Sequence, residues 1–446
     1  MRSRTLFCIA CALMLGLFPV AAVAADQNER LNKLEESIKN QQQTIEEQQK
    51  TINTLKEEMH RQAGQVNPPV SQVPASPKAS GLFGGSSLTN PNISVILDTF
   101  VYGSNLDNGE LEQRGIPGFT TRGLERRYGF NVDSAELFIF SPVDPYFNFS
   151  TNIPVTADGA ELEEAYVVTT ALPEGFQVKG GKFKSNFSRL DAQHPHAWDF
   201  ADIALPYRAF LGDEGLGGEK GAQLTWLPAL PVYMLIGAEV MQGENDLLFG
   251  TDAQEGPHAF SFFVKSSFDT GDNSTLYFGP SVLFGKTRNT NILPDTEVSG
   301  KSALYGMEFV WKWKPSSRKS LTLQSEYLHL VQTGDATDQA TAAVDSLERR
   351  QDGIYVQAIY RIYRWGIGAR WEMLDLFNDS FKRAGVQQES GGKPSRATGS
   401  LEFNPSEFSR LRLQFTHDSS APDGRENREV IAQFIFGIGA HAAHAF

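Results

Sequence analysis

The chain has 446 residues, a formal charge of −13 and two cysteines, Cys8 and Cys11. With 53 acidic side chains against 40 Lys and Arg, it lacks the basic excess that binding to a phosphate backbone requires, which argues against nucleic acid as a partner. Both cysteines fall near the start, so the rest of the chain holds neither a disulfide framework nor a thiolate metal site.

In chain order, residues 1–24 read as a signal peptide. Arg2 and Arg4 precede an apolar run from Leu6 to Val20, and Ala22-Val23-Ala24 gives the small-residue cleavage pattern. The run is shorter than the roughly 20 residues a spanning helix needs. Cys8 also stands where a lipoprotein signal ending at Cys11 wants Leu. Cleavage after Ala24 removes Arg2 and Arg4 and takes the formal charge from −13 to −15.

Residues 25–62 carry heptads. One seam reads Leu31, Ile38, Ile45, Ile52 and Met59, and the other reads Leu34, Gln41, Gln48, Leu55 and Gln62. An apolar stripe this long on an otherwise polar helix has little stability unless it pairs, so the segment is a coiled coil. Ile on one seam with Gln in the middle of the other favours a trimer. Residues 63–92, with Pro68-Pro69, Pro74, Pro77 and Gly84-Gly85, form a linker without packed structure.

From 93 to 446 the period switches to two. Ala303, Tyr305, Met307, Phe309, Trp311 and Trp313 alternate with Leu304, Gly306, Glu308, Val310 and Lys312, giving one apolar-aromatic face and one mostly polar face. Trp365 to Met373 and Leu411 to Phe415 repeat the pattern. The fold class is therefore all-β: a transmembrane antiparallel β-barrel of about 16 strands, an even number within the bacterial range. No window after the signal peptide is apolar enough for a membrane helix.

Connection lengths alternate as such a barrel requires. Segments 141–145, 171–175, 228–231, 269–274, 314–319, 364 and 404–408 are short, and longer ones such as 103–129, 184–220, 332–352 and 375–396 lie between them. A β-sandwich or β-helix has no reason to keep that parity. Both barrel ends then fall on the periplasmic side, with the coiled coil. Val430, Ala432, Phe434, Phe436 and Ile438 share one parity with the terminal Phe446, which resembles the signal that outer-membrane proteins present to the barrel assembly machinery.

Short motifs carry a family resemblance: the heptads, Asn90-Pro91-Asn92-Ile93-Ser94, Gly181-Lys182-Phe183-Lys184, and Pro405-Ser406-Glu407-Phe408-Ser409-Arg410-Leu411-Arg412. Together they resemble the phosphate-selective porin O/P family and related trimeric outer-membrane porins with an N-terminal coiled coil. The resemblance implies a homotrimer passing small hydrophilic solutes. Outer-membrane lipid and lipopolysaccharide surround it, and no cofactor is implied.

Charges of lumen parity are Asp98, Glu136, Lys265, Glu308, Lys312, Glu326, Arg361, Arg370, Glu372, Arg410 and Arg412. Charged rings set ion selectivity in pores, and the basic lean of the late strands points to an arginine wall with a modest anion preference. Connection 184–220 is the third long loop. Its Lys184, Arg189, Asp191 and Arg208 are constriction candidates. Its Trp198, Phe200, Leu205, Tyr207 and Phe210 are too apolar for a loop standing in water, so it is expected to fold inward. His194-Pro195-His196 opens a metal reading, a zinc uptake channel with Asp191, Asp199 or Asp202 as oxygen ligands, against the plainer one of a polar loop anchored by proline. The last alternative is an outer-membrane barrel enzyme. The chain carries neither Gly-x-Ser-x-Gly nor His-Glu-x-x-His, and the expectation is a non-enzyme.

Overall fold

The computed structural model describes residues 91–439 apart from 125, 389–391 and 422–423. The signal peptide, the coiled coil, the linker up to 90 and Phe446 lie outside the described residues.

Alternating side chains turn into one closed wall. Its strands are β1 (Asn92–Ser104), β2 (Gly129–Asp144), β3 (Phe147–Thr156), β4 (Glu164–Thr169), β5 (Phe176–Lys184), β6 (Gly218–Trp226), β7 (Tyr233–Met241) and β8 (Ala259–Gly271). They continue as β9 (Ser274–Leu293), β10 (Thr296–Ser316), β11 (Lys319–Asp338), β12 (Val344–Ile362), β13 (Trp365–Arg383), β14 (Ser395–Ser406), β15 (Ser409–Asp418) and β16 (Asn427–Gly439). The sheet counts 18 strands, of which Gly159–Ala160 and Val386–Gln387 are two-residue pieces within hairpin tips. The other sixteen pair antiparallel with their neighbours, and β1 meets β16 from Ser94↔Gly439 to Ser104↔Glu429, so no edge is left open.

The expected parity holds around the ring. Tyr305, Trp313, Trp365, Trp371 and Phe436 stand exposed on the outer face, whereas Asp98, Glu136, Glu308, Glu326, Arg370, Glu372 and Arg412 are buried on the inner one. Val430, Phe436 and Ile438 also face outward.

Two expected connections shrink. In place of long connections over 332–352 and 375–396, β11 runs to Asp338, β12 starts at Val344 and β13 reaches Arg383. Polar and charged residues dominate these upper strand ends, with Leu347, Phe377 and Phe381 as isolated apolar exceptions, so the signal of period two is weak. In β13 the phase also breaks. Between Gln351↔Asp379 and Gly353↔Leu374 the register shifts, Asp375 takes φ 55°, and the Asp352 carboxylate accepts the freed N–H groups of Phe377 and Asn378. Strands β9 to β13 are 19 to 21 residues long, about twice what a bilayer needs, against 6 to 10 for β3 to β7.

Candidate functional site

The segment 185–217 between β5 and β6 folds against the inner wall, because its apolar side chains find cover there. Around a short helix, α2 (Leu205–Phe210, following α1 at Asn108–Glu112), Phe187, Phe200, Leu205, Tyr207 and Phe210 are almost fully buried. Tyr207 and Phe210 join Leu304, Leu328, Tyr355 and Leu374 of the wall in one cluster, and Phe119 of segment 105–128 packs edge-on against Phe210 at 5.4 Å. Each such aromatic ring contributes about 1.5–3 kcal/mol on burial. Two inward glycines make the room. A Cβ at Gly353 would lie 2.9 Å from Pro206 Cβ, and one at Gly368 would lie 3.2 Å from Phe200 Cζ.

A buried irregular loop must also find partners for its carbonyls, and the inward arginines supply them. Arg412 Nη2 donates to Trp198 O at 2.7 Å, Arg410 Nη1 to His196 O at 2.9 Å, Arg370 Nη1 to Asp202 O at 3.0 Å and Arg396 Nη2 to Ile203 O at 2.6 Å. The same guanidinium groups meet carboxylates. Asp202 is the hub, 2.8 Å from Arg370 and 3.0 Å from Arg396, with Gln414 donating to it at 2.8 Å. Glu372 pairs with Arg396 at 2.6 Å and accepts the N–H of Leu205, an otherwise orphan donor at the start of α2, at 2.7 Å. Glu402 lies 3.1 Å from Arg412 and 3.5 Å from Arg410, and Arg361 reaches Asp199 at 2.7 Å.

The remaining constriction candidates are braces. Lys184 pairs with Glu163 at 3.0 Å, and Arg208 pairs with Asp213 at 3.1 Å. Asp191 accepts from Ser188 Oγ at 2.6 Å and Leu216 N at 2.8 Å, tying the two ends of the loop together. Burial pushes its carboxyl up to about 6 despite those bonds. Arg189 stays half-buried, its Nε 3.3 Å from Gln324. Glu326 accepts from both Tyr207 and Tyr355. Sequence reasoning missed Arg396 and Glu402, although both have lumen parity. The expected strand began at 397, one residue too late for Arg396.

The two histidines do face one way, their rings parallel within 4° and 5.6 Å apart, on a 3-10 turn at Pro195–Ala197. Their carboxylate neighbours are other than expected. Asp191, Asp199 and Asp202 are turned to the partners above, and glutamates of the opposite wall take their place. His194 Nδ1 is 3.0 Å from Glu163 and its Nε2 2.9 Å from Glu164, while His196 Nδ1 is 2.9 Å from Glu136. Asn152 Nδ2 donates to Glu163 at 2.7 Å and to Glu136 at 3.1 Å. Ligand atoms of Glu136, Glu163 and His194 all lie within 4.8 Å of one another, so these three could hold a divalent ion if His194 gave up its proton. Without one, the His194 imidazolium and Lys184 stand against the three glutamates, with His196 Nδ1 on Glu136.

Burial pushes the His194 imidazole down, but hydrogen bonds to Glu163 and Glu164 outweigh it and lift the group to about 9. A raised histidine stabilises fully below its unfolded value near 6.5 and loses that contribution as pH rises through about 9, here about 3 kcal/mol. Current noise of the reconstituted barrel is therefore expected to grow several-fold between pH 6.5 and 10 as this end of the loop loosens, and the growth should vanish in His194→Gln. A flat profile in the unaltered protein would refute the latch.

No family model matches the chain. A protein of Aquifex aeolicus (strain VF5), described only as uncharacterized, is 39% identical over 381 residues, covering 80% of each chain. Among solved structures, the outer membrane channel DcaP of Acinetobacter baumannii is similar over 79% of this chain and 99% of its own, with 11% identity and a TM-score of 0.51. The anion-selective porin from Comamonas acidovorans covers 78% and 100%, with 10% identity and a TM-score of 0.48. The chain thus has the closed sixteen-strand fold of outer-membrane porins, and it belongs to one family with the Aquifex aeolicus protein.

Proposed function

We propose that this barrel spans the bacterial outer membrane and passes small hydrophilic solutes by diffusion, with a modest preference for anions, phosphate among them. The outer band of exposed Phe, Tyr and Trp supports the membrane. One observation carries the preference. The buried arginines Arg370, Arg396 and Arg412 are balanced by Asp202, Glu372 and Glu402, whereas Arg189, Lys312, Arg361 and Arg410 are half-buried, with Asp199 2.7 Å from Arg361 and Glu402, already paired with Arg412, 3.5 Å from Arg410 and 3.8 Å from Arg361. Of these, Lys312, Arg361 and Arg410 stand on the inner face toward the short-turn end. Fixed charge acts on ions where water reaches it and the passage is narrow, so these four count for more than the net charge of the chain. The coiled coil fits a periplasmic trimer stalk.

Planar-bilayer recording across a KCl gradient should give a chloride-to-potassium permeability ratio above one. A phosphate gradient should also drive current. Clear cation selectivity would defeat the proposal. The Glu136, Glu163 and His194 cluster favours a second reading, divalent metal uptake. Zinc block abolished by His194→Ala with His196→Ala would raise it to first place, and indifference to zinc would remove it.

A further inference from the structure

The outer face carries a feature that the lumen does not explain. Where β8, β9 and β10 run side by side, Phe260 and Phe284 stack outward with ring centres 5.7 Å apart, next to exposed Tyr305. One outward position beyond Phe284 stands Lys286. Directly opposite it in the β9–β10 register is Lys301, equally exposed. Among the described residues neither ammonium group has a carboxylate or hydrogen-bond partner. The outward acid further up β10, Glu297, is engaged by Arg288 at 3.1 Å.

Like charges facing each other across a strand pair repel, and more so at the rim of an apolar band, where the effective dielectric constant drops. An anion between them relieves that repulsion. The lysines and rings together border a groove of about 540 Å³ that also takes in Val282. Below the lysines the outward side chains of β9 are Leu276, Phe278, Pro280, Val282 and Phe284, and above them come Arg288 and Thr290. Lys286 and Lys301 therefore mark the level where the apolar band ends on the long-loop side.

We propose that this groove binds one phosphorylated lipid of the outer leaflet, with a phosphate between Lys286 and Lys301 and an acyl chain along Phe260, Phe284 and Tyr305. The inference rests on the reading that the barrel spans a membrane. A free phosphate ion would meet the same lysines but gain nothing from the aromatic floor, which is why the lipid is the occupant.

The test uses the full chain, extracted in detergent, stripped of lipid and titrated with lipid A by native mass spectrometry. One tightly held lipid A per protomer is expected. Lys286→Ala with Lys301→Ala should weaken it roughly thirtyfold, since each lysine at a membrane surface contributes about 1 kcal/mol and a factor of ten requires about 1.4 kcal/mol. Lys286→Arg with Lys301→Arg should keep it, and Phe284→Ala should weaken lipid A while leaving inorganic phosphate without effect as a competitor at millimolar concentration. Equal binding by the double alanine variant, or displacement of lipid A by inorganic phosphate, would overturn the proposal. Both lysines face away from the lumen, so the double alanine variant should conduct as the unaltered protein does. Lipid loss with intact conductance supports the site, whereas loss of conductance in the unaltered protein would count against the channel reading instead.

Discussion

Asp202→Asn should release the loop from the wall and raise single-channel conductance by a factor of two or more, with flickering current. Asp202 sits 2.8 Å from Arg370 and 3.0 Å from Arg396, and all three are buried. Removing one member of a buried ion network leaves Arg370 and Arg396 with Glu372 as their shared carboxylate, at a cost of up to about 3–5 kcal/mol. That is comparable to burying two aromatic side chains, so the docked loop loses a large share of what holds it. Arg370 would still reach the carbonyl of residue 202, which makes partial release with exchange between states the expected form. The barrel itself closes through backbone pairing and should keep its heat resistance on gels. Burial pushes the Asp202 carboxyl up, but Arg396, Arg370 and Arg126 outweigh it and hold the group well below the usual carboxylate range. A depressed carboxylate stabilises above its unfolded value and fails only when pH falls through the folded one. The unaltered channel should therefore stay narrow even near pH 4. Identical conductance and noise in the variant and the unaltered protein would mean that the ion network does not hold the loop.

Neutralising Arg189, Arg361 and Arg410 to Gln should move the reversal potential in a KCl gradient through zero, from anion preference to weak cation preference. Three of the four half-buried basic groups disappear while Asp199 keeps its charge and Gln357 as a hydrogen-bond donor at 3.2 Å. The carbonyl of His196 loses Arg410, but Glu402 keeps Arg412, and Arg370, Arg396 and Arg412 still hold the carbonyls of Asp202, Ile203 and Trp198, so the deep network keeps the loop in place. Conductance should then change by less than half while the permeability ratio changes several-fold, a separation that a loop-release variant would not show. An unchanged ratio would place the selective charge elsewhere on the lumen.

Much of the architecture was legible in the chain because a sheet with lipid on one face and water on the other stamps a period of two on the residues. Trp365, Ile367, Ala369, Trp371 and Met373 against Gly366, Gly368, Arg370 and Glu372 is such a record, and every lumen-parity charge named from it does face inward. The signal fades where polar and charged residues dominate both faces and apolar ones such as Leu347, Phe377 and Phe381 are isolated, so the tall ends of β11, β12 and β13 read as loops. The excess of apolar residues in 184–220 also told that the loop needed cover.

What the sequence could not say is which wall covers it. The partners of His194 are 30 and 31 residues away, and those of Asp202 are 168 and 194 residues away, and only closure of the ring brings them together. The arginines illustrate the consequence. By parity alone Arg361, Arg370, Arg410 and Arg412 form one cationic wall, whereas in the fold the loop sets Asp199 and Asp202 against Arg361 and Arg370, Glu402 of the wall faces Arg410 and Arg412, and loop carbonyls face three of the four, leaving the half-buried charge to Arg189, Lys312, Arg361 and Arg410. Periodicity is a local property of the chain, and it fixes which side of the wall a residue faces. Net charge in the lumen is a sum over groups from distant segments, and only the tertiary structure decides which of them cancel.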